Sequence, residues 1–356
     1  DTTGGDGALA KGRADFELGG ERVAPGTRRT VDLPVSILSD HTPVTMSCHV
    51  VHGKRPGPVL FVSAAIHGDE VIGVEIVRRL LRARPLGTIA GTLLAVPIVN
   101  AFGFINHSRY LPDRRDLNRV FPGHAEGSLA ARLAHLFMTE IVARADLGID
   151  LHSAALRRTN LPQIRLTPGN DRLMELGRAF GAPVILESRL REGSLRMAAE
   201  AEGVDVLLYE AGEGLRFDEF AARAGVSGIL RVMRHLGMVG AKGVPRRHGT
   251  PALCGSSSWH RAPVGGLMRA YRGTGDIVEP GTVLCAISDP FGEKEVEVAS
   301  EITGIVVGRT NMPVVNEGDA LFHVAETRRP GHAEAAAEAV EAAREAAPLF
   351  DEDEII

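Results

Sequence analysis

The sequence predicts an α/β fold followed by a small all-β region, and three observations predict it. From Gly57 to about Val239, short apolar runs alternate with amphipathic stretches, the pattern of buried strands and covering helices. After Gly240 the helical period stops, and brief β-like runs punctuated by Gly, Pro and Asp take over. The 356 residues suffice for more than one domain, and 44% hydrophobic with 24% charged residues is ordinary for a globular chain.

Residues 1–24 are Gly-rich and polar and read as a flexible lead-in. Residues 31–52 (VDLPVSIL, VTMSCHVV) alternate loosely and predict paired strands. The runs at 58–66 (PVLFVSAAI), 92–99 (TLLAVPIV), 146–151 (DLGIDL), 183–187 (PVILE) and 204–209 (VDVLLY) predict buried strands. Amphipathic spacing predicts helices at 70–84, about 128–145, 171–181, 194–202 and 217–238. Alternation of this kind implies a largely parallel sheet covered on both faces. A Gly/Ser/Pro-rich stretch at 240–258 then leads into short strands over 260–325, where GDIVEPGTVLCAI and VVNEGDALFHVA form a weak internal echo. The expected organisation is a lead-in at 1–24, a catalytic α/β domain at 25–240, a β-domain at 241–327 and an acidic Ala/Glu-rich tail at 328–356, solvated or disordered.

A net charge of −5 without a long basic cluster argues against nucleic acid or an anionic membrane as partner. No apolar stretch reaches the roughly 18 residues that span a bilayer, and the N-terminal residues hold no apolar core of a signal peptide. Three scattered cysteines, Cys48, Cys254 and Cys285, supply no disulfide framework, so a reducing cytoplasmic setting is expected.

The chemistry concentrates in FVSAAIHGDE, where an apolar run ends in His67-Gly-Asp-Glu70. An imidazole and a carboxylate three apart, just past a strand, can face one metal ion. A catalytic zinc site wants three such ligands plus a water. Alone the pair is weak evidence, because the chain has 13 His and 45 acidic residues. Two further residues fall at equivalent places: His152 follows DLGIDL, and Glu210 follows VDVLLY. In open α/β sheets ligands bind outside the carboxyl ends of the strands. His67, Glu70 and His152 therefore form the candidate zinc set, with Glu210 as general base and acid for the water. Asp150 reads either as a hydrogen-bond partner of a ligand ring or as a turn-capping residue. In the loop SRYLPDRRDLNRVFPG (108–123), Arg109, Arg115, Asn118 and Arg119 can grip a carboxylate or stabilise an oxyanion.

At these residues the chain resembles the succinylglutamate desuccinylase/aspartoacylase family, relatives of the zinc carboxypeptidases. The matching elements are IHGDE (66–70), SRYLPDRRDLNRVFPG (108–123), IDLHSA (149–154) and YEAGEG (209–214), in that order. With the C-terminal strands, the likeness covers roughly residues 30–326. It implies a zinc-carboxypeptidase-like α/β/α sandwich with a mixed sheet plus a small C-terminal all-β domain. It further implies one zinc ion per subunit on His67, Glu70 and His152, and hydrolysis of the amide of a small N-acyl amino acid. Glu210 takes the general-base role, Asn118 and Arg119 the substrate carboxylate, and Arg109 the oxyanion, with Arg115 as the alternative. Glu213 stands where a small residue is expected. The β-domain is expected to wall the zinc site and to contribute to a homo-oligomer.

Within enzymes the rival is a zinc carboxypeptidase acting on short peptides, which needs the same metal, base and clamp. Outside them, small Gly-turned β-domains resemble biotinyl or lipoyl carriers; Lys294 is the lysine available, and it lacks the flanking methionines of a biotin site. A metal-free binding protein is disfavoured because the whole ligand set and the base are present.

Overall fold

The computed structural model describes residues 13–247 and 249–327, together with 331, 334, 335, 337, 338, 340 and 342 of the tail. The chain opens with a hairpin, β1 (Phe16–Leu18) and β2 (Glu21–Val23), then two long strands, β3 (Thr27–Ile37) and β4 (Pro43–His52). Leu18 and Val23 are buried against Val31 and Leu33 of β3, so these two side chains anchor the hairpin to the core within the segment expected to be a flexible lead-in. The first twelve residues of that predicted segment lie outside the described residues.

The α/β portion follows the predicted alternation. It comprises β5 (Arg55–Ala64), α1 (Ile72–Arg82), β6 (Ala90–Val96), the short α2 (Ala101–Ile105), α3 (Leu129–Glu140) and β7 (Leu147–Ala154). It continues through β8 (Arg158–Leu166), α4 (Asp171–Phe180), β9 (Val184–Glu187), α5 (Leu195–Ala201), β10 (Asp205–Glu213) and α6 (Glu219–His235). Helix starts sit where side-chain oxygens meet the orphan amides: Ser128, Asn170, Ser194 and Asp218 each accept from the backbone three residues on. One strand, β8, was not expected. Its sequence RTNLPQIRL is broken by Asn160, Pro162, Gln163 and Arg165, and it carries no apolar run.

From α6 to Thr327, the regular elements are strands alone: β11 (Ala252–Arg261), β12 (Gly266–Ala270), β13 (Ile277–Val278), β14 (Val283–Ser288), β15 (Glu295–Ala299), β16 (Gly304–Thr310), β17 (Val314–Val315) and β18 (Ala320–Thr327); the described residues of the tail beyond are helical. They are not set apart from the α/β portion. One twelve-stranded sheet runs β13-β16-β18-β11-β9-β8-β10-β7-β5-β6-β4-β3, and β16 also pairs with β8. The sheet is mixed: β6, β5, β7 and β10 run parallel, β8 opposes β10, and β9 and β11 continue parallel to β8. The remaining strands make a second sheet, β15-β14-β12-β17. Lys294 is exposed in the turn between β14 and β15, flanked by Glu293 and Glu295.

Alternation along the strands divides the core. Leu60, Val62 and Ala64 of β5, with Ile149, Leu151, Leu207 and Tyr209, pack against α1, α4 and α6. Phe61 points the other way, against Phe137 of α3 and the layer containing α5. Val340 of the tail is buried with Leu161, Val184 and Ala325, so at this position the tail is not solvated. No helix among the described residues is long and apolar enough to cross a membrane.

Candidate metal centre and its surroundings

Register decides which side chains meet. Ser63 of β5 pairs with Asp150 of β7, and His152 of β7 pairs with Glu210 of β10. The residues between them, Ile149, Leu151, Leu207 and Tyr209, belong to the opposite core layer. Ser63, Asp150, His152 and Glu210 therefore share the face on which α5 packs, near the carboxyl ends of parallel strands. Glu210 and His152 lie within their strands rather than past them, because β7 and β10 extend three and four residues further than the apolar runs indicate.

His67 and Glu70 arrive from the loop after β5. Ala65 turns the chain with a left-handed φ of 52°, a strained conformation for a residue with a side chain. Gly68 lets this loop lie directly on α2, since a Cβ there would stand 1.9 Å from the Gly103 carbonyl carbon. Side-chain ligand atoms of His67, Glu70 and His152 then lie within 4.8 Å of one another, all three residues buried.

The Glu70 carboxylate bridges the rings, with His67 Nδ1 at 2.7 Å from Oε1 and His152 Nδ1 at 2.8 Å from Oε2. The Ser153 amide also donates to Oε2 at 3.1 Å. The far nitrogens face carboxylates too: His67 Nε2 lies 3.0 Å from Asp116 Oδ1, and His152 Nε2 lies 2.7 Å from Asp150 Oδ2. Asp150 is in turn held by the Ser63 hydroxyl at 2.7 Å. A carboxylate only accepts, so each ring is held as a double donor. Burial alone would raise the Glu70 pKa, but the attraction of His67 and His152 overrides it and keeps the carboxyl well below its usual range. Burial likewise opposes charge on both imidazoles, and Glu70 and Asp116 for His67, and Asp150 and Glu70 for His152, push their pKa values up instead.

These residues suit a divalent metal. Two imidazole nitrogens and a carboxylate converge at one buried point, and the second nitrogen of each ring has the carboxylate partner that usually orients a metal-bound histidine. His67, Glu70 and His152 would hold such a cation, with Asp116 and Asp150 still accepting from the Nε2–H groups of the two rings.

Arg109 comes within reach of this point, its Nη1 at 3.3 Å from Glu70 Oε1 and its Nη2 at 3.0 Å from Asp116 Oδ2. Asp116 thus clamps both His67 and Arg109, and it also accepts from the Asn118 amide. The Asn118 side chain accepts from the Leu195 amide at the start of α5, which pins the loop to that helix. Arg119 is exposed, its Nη1 donating to the Asn118 carbonyl at 2.6 Å. Arg115 is exposed and paired with Asp113 at 3.3 Å.

Glu210 is tied by two donors: Asn160 Nδ2 at 2.7 Å from Oε2 and Arg165 Nη1 at 3.2 Å from Oε1. Glu213 faces elsewhere. It accepts from the Arg157 amide and the Asn311 side chain, both at 2.9 Å, and so ties the loop after β16 to β10.

Arg196 of α5 escaped the sequence reading. Its guanidinium is buried, donates through Nη2 to Ser188 and to the Arg189 carbonyl, and leaves Nη1 without a partner. Burial and the neighbouring Arg165 lower its pKa to about 10, while Glu210 and Asp150 pull it back up. A buried cation beside Glu210 with an unused donor is equipped to meet an anionic group. Its sequence context, one Arg on an amphipathic helix, distinguishes it from no surface arginine.

Comparison with known proteins identifies the chain's relatives. The sequence profile of the succinylglutamate desuccinylase/aspartoacylase catalytic domain matches residues 56–236, just over half of the chain. The chain belongs to this family. It is 28% identical over 310 residues to the N-alpha-acetyl-L-2,4-diaminobutyric acid deacetylase of Halomonas elongata, spanning 83% of this chain and 90% of that protein. It is 35% identical over 183 residues to the succinylglutamate desuccinylase of Pseudomonas aeruginosa, about half the length of each (48%). Among solved structures, the product-bound ectoine utilization protein EutE (DoeB) of Ruegeria pomeroyi superposes with a TM-score of 0.75 at 25% identity, covering 85% of this chain and 95% of that one. A succinylglutamate desuccinylase/aspartoacylase from Rhodobacter sphaeroides gives the same score and identity over 84% and 96%. The family is one of deacylases, hydrolases acting on the amides of small N-acyl amino acids.

Proposed function

We propose that this protein is a zinc-dependent deacylase that hydrolyses the amide bond of a small N-acyl amino acid. The observation that carries the reading is the buried convergence of His67, Glu70 and His152 at the ends of parallel strands, with Glu210 in register beside His152. His67, Glu70 and His152 would hold the ion, a set with two imidazoles and one carboxylate that suits zinc. Zinc, when bound, lowers the pKa of a coordinated water towards neutrality and polarises an amide carbonyl.

The remaining chemistry falls to the protein's own groups. Glu210 takes a proton from the attacking water and returns it to the leaving nitrogen. Arg109, reaching the Glu70 carboxylate, donates to the carbonyl oxygen as negative charge builds; Arg115, exposed and paired with Asp113, is the alternative for that role. Arg119 and Asn118 bind the substrate carboxylate, and the unused Nη1 of Arg196 offers a further donor. The near full-length relationship to a diaminobutyric acid deacetylase puts N-acetyl amino acids first among substrates and N-succinyl amino acids second. Three unpaired buried cysteines fit a cytoplasmic setting, and the C-terminal strands are a wall of the site and a candidate homo-oligomer contact.

The test is a substrate panel of Nα-acetyl-L-2,4-diaminobutyrate, N-acetyl-L-aspartate, N-succinyl-L-glutamate and unmodified dipeptides, with metal content measured on the same preparation. Hydrolysis of an N-acyl amino acid, with about one zinc per chain, is expected. Glu210→Gln should abolish turnover and retain zinc. Turnover of dipeptides alone would turn the reading to a carboxypeptidase, and retained activity in Glu210→Gln would remove Glu210 from the base role.

A further inference from the structure

Asn160 occupies an unusual place in the sheet. It lies on β8 between two glycines, Gly212 of β10 on one side and Gly308 of β16 on the other. Only 9% of it is exposed, and its Nδ2 donates to Glu210 Oε2 at 2.7 Å. The amide orientation is fixed by chemistry, because a carboxylate accepts and does not donate, so the NH2 end must face Glu210. The oxygen end faces Gly308: a Cβ built there would stand 2.6 Å from Asn160 Oδ1. Glycine at 308 is thus the condition for Asn160 to keep its side chain where it is. The register of β10 is irregular from Glu210 onward on both sides, and such irregularities free a side chain from the regular ladder. With the backbone bent there, side-chain bonds decide where the carboxylate sits.

We propose that Asn160 is the positioning residue of Glu210, and that β16 of the C-terminal strands keeps it in place through Gly308. The inference rests on the reading of Glu210 as the general base. Asn160 engages Oε2 with a short bond to a neutral donor. The other oxygen, Oε1, faces the Arg165 guanidinium of a side chain 22% exposed, at a longer 3.2 Å. Oε1 is therefore the oxygen that exchanges the proton, while Oε2 anchors the carboxylate. The C-terminal strands, which give none of the candidate metal-ligating side chains, then act on the placement of Glu210 through this contact.

The experiment compares Asn160→Ala, Asn160→Asp, Gly308→Ala and the Asn160→Ala/Gly308→Ala double variant, using the panel substrate with the highest kcat/KM, alongside metal content and thermal melting. Misplacing a reacting group by about 1 Å costs on the order of 100-fold in rate, so kcat should fall by roughly 10- to 100-fold in Asn160→Ala with KM nearly unchanged and zinc retained. Asn160→Asp, the same shape with no N–H to give, should fall at least as far. Gly308→Ala should lower kcat in the same direction, and the double variant should be no worse than Asn160→Ala alone, since both act through one contact. A packing role without positioning would instead spare Asn160→Asp and make the two sites additive. Wild-type kcat in Asn160→Asp, or equal changes in kcat and KM, would overturn the proposal. Glu210→Gln, run in parallel, separates the failures. If it is inactive while Asn160→Asp is normal, only the positioning role falls; if it is active, or nothing in the panel is hydrolysed, the general-base reading falls and the positioning role with it.

Discussion

Removing Asp150 should loosen the metal without dismantling the fold. Its carboxylate is buried, with Oδ2 accepting from His152 Nε2 at 2.7 Å and Oδ1 from the Ser63 hydroxyl at 2.7 Å. Asp150→Ala strands both donors, and loss of such an outer partner lowers metal affinity about 10- to 100-fold, or about 1.4–2.8 kcal/mol. Asp150→Asn keeps an acceptor oxygen for the ring and loses only the charge, so it should fall near the lower figure. The sign of the pH dependence follows from His152. Burial lowers its pKa, and Asp150 and Glu70 raise it well above the ordinary value, so a proton would compete with a bound metal for this ring until the pH is high. Deleting Asp150 weakens that competition, and the wild-type advantage should therefore widen from pH 7 to pH 8.5. Zinc affinity is read by competition with a chromophoric chelator, with circular dichroism checking the fold. A folded Asp150→Ala protein that binds zinc within threefold of wild type at both pH values would refute the reasoning.

Three other outcomes are expected. His323 is buried, its Nδ1 has no partner, and burial with repulsion from Arg165 and Arg191 lowers its pKa to about 3. It is neutral in the fold, so its contribution to stability is complete above the unfolded value of about 6.5 and is lost as pH falls towards 3. His323→Phe, which keeps a ring against Trp259, should remove this dependence. Between pH 7 and pH 5 wild type should lose about 2 kcal/mol more than the variant in chemical denaturation, and equal losses would contradict the assignment. Chelation should lower Tm, since a ligand present at 100 times its Kd stabilises by about 2.7 kcal/mol; Glu70→Gln should melt at the same temperature with or without zinc, and a zinc-dependent shift in that variant would exclude Glu70 as a ligand. Arg119→Ala should raise KM for substrates with a free carboxylate more than it lowers kcat, as initial-rate kinetics would reveal.

Much of this was legible in the chain because parallel strands bury both faces and leave continuous apolar runs. The ends of those runs pointed to His67, His152 and Glu210, and the amphipathic period bounded α1, α3, α4, α5 and α6 to within a few residues. What stayed hidden has a physical cause in each case. The strand β8 has Asn160, Gln163 and Arg165 among its residues, the second and third facing along the same side as Glu210, so it reads as a polar loop. The hairpin β1–β2 is too short and charged to register, though Leu18 and Val23 are wholly buried. Arg196 looks like a solvent-facing residue of α5 until tertiary packing lays that helix over Glu210. The union of the two regions into one sheet rests on pairings such as Gly308 with Asn160, nearly 150 residues apart, and no local pattern records those.

That union bears on how the chain can be cut. Similarity to the family's catalytic domain stops at residue 236, yet a fragment ending there would not be a smaller enzyme. Its β9 would lose β11, the amino-terminal half of β8 would lose β16, and Leu161, Val184 and Leu186 would come into water. A raw parallel edge beside exposed aliphatic side chains invites association with other chains. The unit that folds therefore extends through β18, well beyond the segment by which its kinship is recognised.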